Sequence, residues 1–392
     1  MHLTAEEEKV YNGERGWAYQ TAMKILVKLG DLFDAEKLIP IESAHVSGIS
    51  YKTLGDAPIE FLEALAKTGA KAKVASTVNP SGLDYEGIMR SAVPETVKEK
   101  QEKIVELYKK MGIKPVLTCT PYYVSKPKQG SHLAWAESSA VVYANSVLGS
   151  WTNREGGPSA LASALIGKTP NYGLHKPENH EPSVRVKVET GLKSEAEYGA
   201  LGIFLGKNLV DKVPVIEGLR YPREADLKQL GAALASSGMT SVFYPCSRCP
   251  KKAENLEKLA VDELTLKKAF EDLSTCSEEP DMVFVGCPHC SLNEVRHVAR
   301  LVQGRKVKEN VMFWVCVSRH VKAKAALHVQ AIEAAGGKVV SDLCAVVTWL
   351  RELGVDTLMT NSAKTAFYSP TMNKVNVRFA TLKQCIETAC YK

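Results

Sequence analysis

Four cysteines stand directly after short apolar runs that read as buried strands: KPVLTC, DMVFVGC, VMFWVC and KVVSDLC, ending at Cys119, Cys287, Cys316 and Cys344. In open α/β sheets, ligands collect outside the carboxyl ends of the strands. Thiols delivered to such an edge can meet although they are far apart in sequence, and three or four thiolates together make a metal or iron–sulfur site. A competing pattern is the two Cys-x-x-Cys pairs, Cys246 with Cys249 and Cys287 with Cys290. Two such pairs suit a tetrahedral structural zinc with no open position for chemistry. Packing is the third reading, because free cysteine is among the most buried residue types. It fits Cys385 and Cys390 in the last helix.

Polar groups gather in a few other segments. In GSHLAWAESSA, His132, Glu137, Ser138 and Ser139 are expected on one helix, with 132 and 139 sharing a face. TNREGGPSA sets Arg154 beside glycines before a helix start, an arrangement suited to a carboxylate or phosphate. Asn361, Ser362, Lys364 and Tyr368 follow the apolar run VDTLMT, where Lys364 can hold an anion. LIPIESAHVSGIS and KAKVASTVNP read as strands entering polar loops, one with Glu42, Ser43, His45 and Ser47, the other with Thr77, Asn79 and Ser81.

The elements that position these groups alternate. Thr4 and Glu7 form a capping box that should open one long amphipathic helix reaching about Leu29. A helix, a strand and a polar loop then recur three times before Cys119. Residues 129–182 replace apolar runs with small and polar residues, and Gly149, Gly156, Gly157, Gly167 and Gly173 permit close backbone approach, as in an active-site wall. VPVIEGLRYP reads as a linker, SVFYPC as a strand before a helix pair, and the remainder as alternating strands and helices. The fold class is therefore α/β with mostly parallel sheets. The domains expected are an N-terminal α/β domain at 1–128, a Gly-rich active-site region with a second α/β portion at 129–220, and a C-terminal α/β domain at 221–392.

Composition narrows the function classes. The 392 residues are 45% hydrophobic and 24% charged, as in a multi-domain globular chain. The formal charge of +6 is spread out, with no dense basic block interleaved with aromatics, so no nucleic-acid footprint is evident and a small anionic substrate fits. No apolar stretch is long enough to span a bilayer, and MHLTAEEEKVYNGERG is acidic where a signal peptide is basic and then apolar, so a cytoplasmic protein is expected. Ten cysteines in a reducing compartment favour metal binding or chemistry over disulfides.

Taken in order, ESAHVSGISY, STVNPSGLD, LTCTPYY, GSHLAWAESSAVVYANSVLG, TNREGGPSALASALIGKTPNYGLH, VGCPHCS, SDLC and TNSAKTAFYSP resemble the large subunit of the aconitase X family over nearly the whole chain. The resemblance implies an aconitase-like, multi-domain α/β architecture around a 4Fe-4S cluster, with hydro-lyase activity. Carried over to this sequence, it implies Cys119, Cys287 and Cys344 as cluster ligands, leaving Cys316 without a role. It implies His45, Asn79, Arg154 and Lys364 as substrate-binding residues. The catalytic base is expected to be a serine on a small swivelling domain supplied by a separate subunit, so this chain would be the larger half of a two-subunit enzyme. The branch with separate subunits and a cysteine triad dehydrates (R)-5-phosphomevalonate to trans-anhydromevalonate 5-phosphate, and Arg154, Lys168, Arg319 and Lys364 are the candidates for its phosphate. Dehydration of cis-3-hydroxy-L-proline is the alternative within the family, and a non-catalytic zinc-stabilised binding protein the alternative outside it. FYPCSRCPKK departs from the family pattern.

Overall fold

The computed structural model of the chain describes residues 1–85, 87, 89–246 and 256–391. In the N-terminal region, strands β2 (Ser43–Val46), β3 (Ala75–Val78) and β4 (Leu133–Trp135) form a parallel sheet in the order β3-β2-β4, while β1 (Leu38–Pro40) pairs antiparallel with β5 (Lys168–Pro170). Ser43, His45 and Thr77 thus belong to strands instead of the loops beyond them. Thr4 and Glu7 do form a capping box, but the expected single helix is two, Ala5–Tyr11 and Trp17–Leu32. Gly13 and Gly16 between them have φ of 94° and 92°, left-handed values that a continuing helix cannot contain. The segment around His132 also differs from expectation. Leu133–Trp135 is a strand, and the helix Ser138–Tyr143 starts only after Glu137, whose side chain accepts from the Ser139 amide as its N-cap. His132 and Ser139 therefore share no helix face.

A second parallel sheet has the order β8-β7-β6-β9, from β6 (Val184–Val188), β7 (Pro214–Glu217), β8 (Tyr244–Pro245) and β9 (Glu257–Val261). The expected linker VPVIEGLRYP supplies β7, since Pro214–Ile216 is buried and apolar. Of the expected helix pair, the described residues show β9 and the helix Glu263–Glu271. Cys249 and most of FYPCSRCPKK lie outside the described residues. Helices Glu195–Leu209 and Glu224–Ser237 pack closely because Gly202 has no side chain: a Cβ there would stand 2.6 Å from both Ala233 Cβ and Leu230 O.

The third sheet is all parallel, in the order β12-β11-β10-β13-β14, from β10 (Met282–Cys290), β11 (Met312–Val317), β12 (Lys338–Val340), β13 (Thr357–Thr360) and β14 (Asn376–Phe379). All nine residues of β10 are buried, as in the centre of a sheet covered on both faces. Val283, Val285, Phe313 and Val315 enter one core, with helices Leu292–Val302, Ala326–Ala334 and Leu382–Ala389. Their alternates Met282, Phe284, Trp314 and Cys316 enter another, which continues into the second region and its helices. Each large side chain so buried contributes about 1.5–3 kcal/mol. This shared core fixes the carboxyl end of β10, where Cys287 emerges, against the helix Glu224–Ser237. Among the described residues no helix is long and apolar enough to cross a membrane.

Candidate active site

Three of the four strand-end cysteines are set apart by the backbone before them. Leu117, Gly286 and Asp342 have φ of 46°, 106° and 72°, so the chain leaves its extended path one or two residues ahead of Cys119, Cys287 and Cys344. At Gly286 no other residue fits, because a Cβ would lie 2.3 Å from Cys316 O. Cys316 has no such turn: it stays within β11, paired with Val340, and its thiol donates to Leu343 O at 3.3 Å. The run KPVLT before Cys119 is not the strand that was expected. Only Lys114 bridges to Thr77, since Pro115 lacks an N–H and Leu117 turns left-handed.

The sulfurs of these turns interact. Cys119 Sγ accepts the His289 amide at 3.2 Å. The Cys344 thiol donates to Cys287, which together with the Lys364 charge overcomes burial and lowers the Cys287 thiol to about 6. The same bond, then burial, pushes Cys344 up, and burial pushes Cys119 up. Cys290 instead packs in the core behind the third sheet, and Cys246 is exposed. Among the described residues no three His, Cys, Asp or Glu side chains converge tightly enough for a single metal ion. Two buried thiols and the partly buried Cys344 on separate turns, with an amide donor to one sulfur and a lysine nearby, do fit a polynuclear cluster, whose thiolate ligands bind different irons and whose properties depend on such hydrogen bonds.

Beside the thiols runs a polar chain. Lys364 Nζ donates to Glu137 Oε1 at 2.5 Å and to Ser138 Oγ at 3.3 Å. Glu137 Oε2 accepts from Asn79 Nδ2 at 2.6 Å, which turns Asn79 Oδ1 toward His45 Nε2 at 3.2 Å. Nε2 must then carry the proton, and Nδ1, 2.7 Å from Thr77 Oγ1, accepts from that hydroxyl. Burial alone would raise the Glu137 carboxyl, but the Lys364 charge and the hydrogen bonds from Lys364, Asn79 and Ser139 bring it down to about 2. Sequence reasoning placed Glu137 among helix-face groups and missed it as the hub joining the first and third regions. Its place just before Ser138 and Ser139 at a helix start was the available signal.

Two histidines give these regions an acid sensitivity. Burial lowers His45 to about 4 and, helped by His132 and His180, lowers His175 to about 3. Both are neutral in the fold but charge below about 6.5 when unfolded, so the unfolded chain binds more protons in that window. Their contribution is complete above about pH 6.5 and is lost as pH falls toward 4 and 3. The urea midpoint should therefore drop between pH 6.5 and 4.5, less steeply in His175→Phe; equal slopes would contradict this assignment.

The other basic candidates are engaged elsewhere. Arg154 donates to Ala235 O at 2.7 Å and Gly238 O at 3.0 Å, at the carboxyl end of the helix Glu224–Ser237. Lys168 pairs with Glu7 at 2.6 Å, and Arg319 forks onto the fully buried Asp342 at 2.6–2.8 Å. Of the four expected substrate residues, His45, Asn79 and Lys364 thus share one network, and Arg154 braces a wall.

The arrangement is that of an α/β enzyme whose parallel sheets bring buried thiols and a lysine–glutamate pair to one place. Models of the first, second and third domains of aconitase X match residues 1–178, 182–271 and 280–391. The chain belongs to the aconitase X family. It is 44% identical to the phosphomevalonate dehydratase large subunit of Methanocaldococcus jannaschii, over 99% of this chain and 100% of that one. It is 46% identical to that of Methanothermobacter thermautotrophicus, over 95% and 94%. A crystal structure of Thermococcus kodakaraensis aconitase X in its holo form superposes with a TM-score of 0.93 at 42% identity, covering 99% of this chain and 100% of that one. More distant is a cis-3-hydroxy-L-proline dehydratase of Pseudomonas aeruginosa, 34% identical over 99% of this chain and 70% of the relative. The dehydratase names of these relatives make the chain a hydro-lyase of this family, and those named large subunit imply a smaller partner.

Proposed function

We propose that the chain is the large subunit of a cytoplasmic hydro-lyase that converts (R)-5-phosphomevalonate to trans-anhydromevalonate 5-phosphate, with a 4Fe-4S cluster on Cys119, Cys287 and Cys344. The observation that carries this reading is the meeting of three cysteine thiols with the Lys364–Glu137 pair, in a chain related end to end to phosphomevalonate dehydratase large subunits. Dehydration removes a proton from the carbon beside the carboxylate and hydroxide from the next carbon, leaving a double bond and, after protonation, water. A bound cluster with an open iron supplies the Lewis acid for the departing hydroxyl. The proton acceptor is assigned to the small swivelling subunit.

The residues of this chain bind and orient. Two of the three Lys364 N–H groups serve Glu137 and Ser138, so the third is assigned to an anionic substrate oxygen. Glu137 keeps that ammonium charged and fixed, while neutral His45 and Asn79 hold Glu137 from behind. Co-expression with the small subunit should give turnover of 5-phosphomevalonate and none of cis-3-hydroxy-L-proline, and either chain alone should be inactive. Turnover of the proline substrate alone would overturn the assignment.

A further inference from the structure

His289 carries no assigned role, yet it is 1% exposed and both of its ring nitrogens are bonded to residues adjoining the thiols. Its Nε2 lies 2.9 Å from the carbonyl of Leu343, the residue before Cys344, and since a carbonyl only accepts, Nε2 carries the proton. Its Nδ1 lies 2.9 Å from the hydroxyl of Thr118, the residue before Cys119. Its backbone N–H reaches Cys119 Sγ at 3.2 Å. His289 itself belongs to the turn that carries Cys287. One buried imidazole thus joins all three cysteine-bearing turns, with partners 171 residues away at Thr118 and 54 residues away at Leu343.

The turn is held from behind as well. Lys228, also 1% exposed, donates to His289 O at 2.9 Å and to Glu294 Oε2 at 2.6 Å, and Gln229 Nε2 donates to Cys287 O at 3.1 Å. With its backbone fixed by Lys228 and Gln229 of the helix Glu224–Ser237, the imidazole is held in place, and the neighbouring turns are registered on it. We propose that His289 is the positioning residue of the cysteine site, keying the Cys119 and Cys344 turns to the Cys287 turn so that the three sulfurs are presented together. This rests on those cysteines being the ligand set. Both ring nitrogens of His289 are engaged, by Thr118 Oγ1 and Leu343 O, so its effect passes through the geometry of the turns.

The test uses the anaerobically purified complex with its small subunit. Iron loss to a chelator is timed, and the electron paramagnetic resonance spectrum of the reduced protein is recorded, for wild type, His289→Leu, His289→Gln and Thr118→Val. His289→Leu should shorten the iron half-life by about 10–100-fold, the usual cost of removing a group that orients metal ligands, and should change the spectrum. His289→Gln, whose amide can still donate to Leu343 O, should recover most of the half-life, and Thr118→Val should fall between. Wild-type half-life and spectrum in His289→Leu would overturn the proposal, even if that variant melted earlier, since lost packing alone would do that. Should His289→Leu fail to fold, His289→Gln and Thr118→Val carry the same comparison. Cys119→Ser separates the two claims: if it too kept its iron, the ligand assignment, and not the role of His289, would be at fault.

Discussion

Cys119→Ser, Cys287→Ser and Cys344→Ser are each expected to leave the chain without its iron, while Cys316→Ala keeps it. All four cysteines follow apolar runs, and all but the partly exposed Cys344 are fully buried, so neither position nor burial separates them. The backbone does. A left-handed residue stands one or two positions ahead of each of the three expected ligands, whereas Cys316 stays in the β11 ladder with its thiol spent on Leu343 O. That carbonyl also accepts from His289, so removing the thiol leaves no buried acceptor unpaired. Removing a ligand thiolate, in contrast, leaves an iron without its anchor. Iron per chain should fall close to zero in each of the three serine variants. Loss in Cys316→Ala to the same extent would place a fourth ligand on the site.

Lys364→Met should lower kcat by about 10²–10³-fold, the range for losing one fixed donor at a site of developing charge. It should also destabilise the chain by about 3–5 kcal/mol, because Glu137 would be left as a buried carboxylate without its cation. Stability and activity can be separated. Glu137→Gln combined with Lys364→Met removes both charges and should regain most of the stability, but none of the activity, in urea titrations and turnover assays. If the double variant regained turnover, the pair would be a structural tie and not part of substrate binding.

The α/β class and the family were legible in the sequence because apolar runs and long motifs are local patterns, whereas an apolar run ending in a cysteine marked four positions alike and only the family resemblance chose three. The hub at Glu137 was not legible. Its partners Asn79 and Lys364 lie 58 and 227 residues away: the sheet order β3-β2-β4 brings Asn79 to it, and the packing of the first region on the third brings Lys364. Local backbone conformation was hidden in a similar way. A periodic apolar pattern runs through Gly13 and Gly16 as if the helix continued, and KPVLT has strand composition although Pro115 and Leu117 prevent a ladder. Arg154 looked like an anion site from its glycine-rich surroundings, and the fold turned its guanidinium onto two helix-end carbonyls.

The central claim is that this chain holds an iron–sulfur cluster on three cysteines and dehydrates a phosphorylated hydroxy acid with its small partner. Iron and acid-labile sulfide in the anaerobically co-purified complex, measured with turnover of 5-phosphomevalonate on the same sample, test it most directly. About four irons with matching sulfide per complex, as a cubane cluster requires, together with formation of the anhydro product, is the predicted result. Zinc without iron, and no turnover, would contradict it.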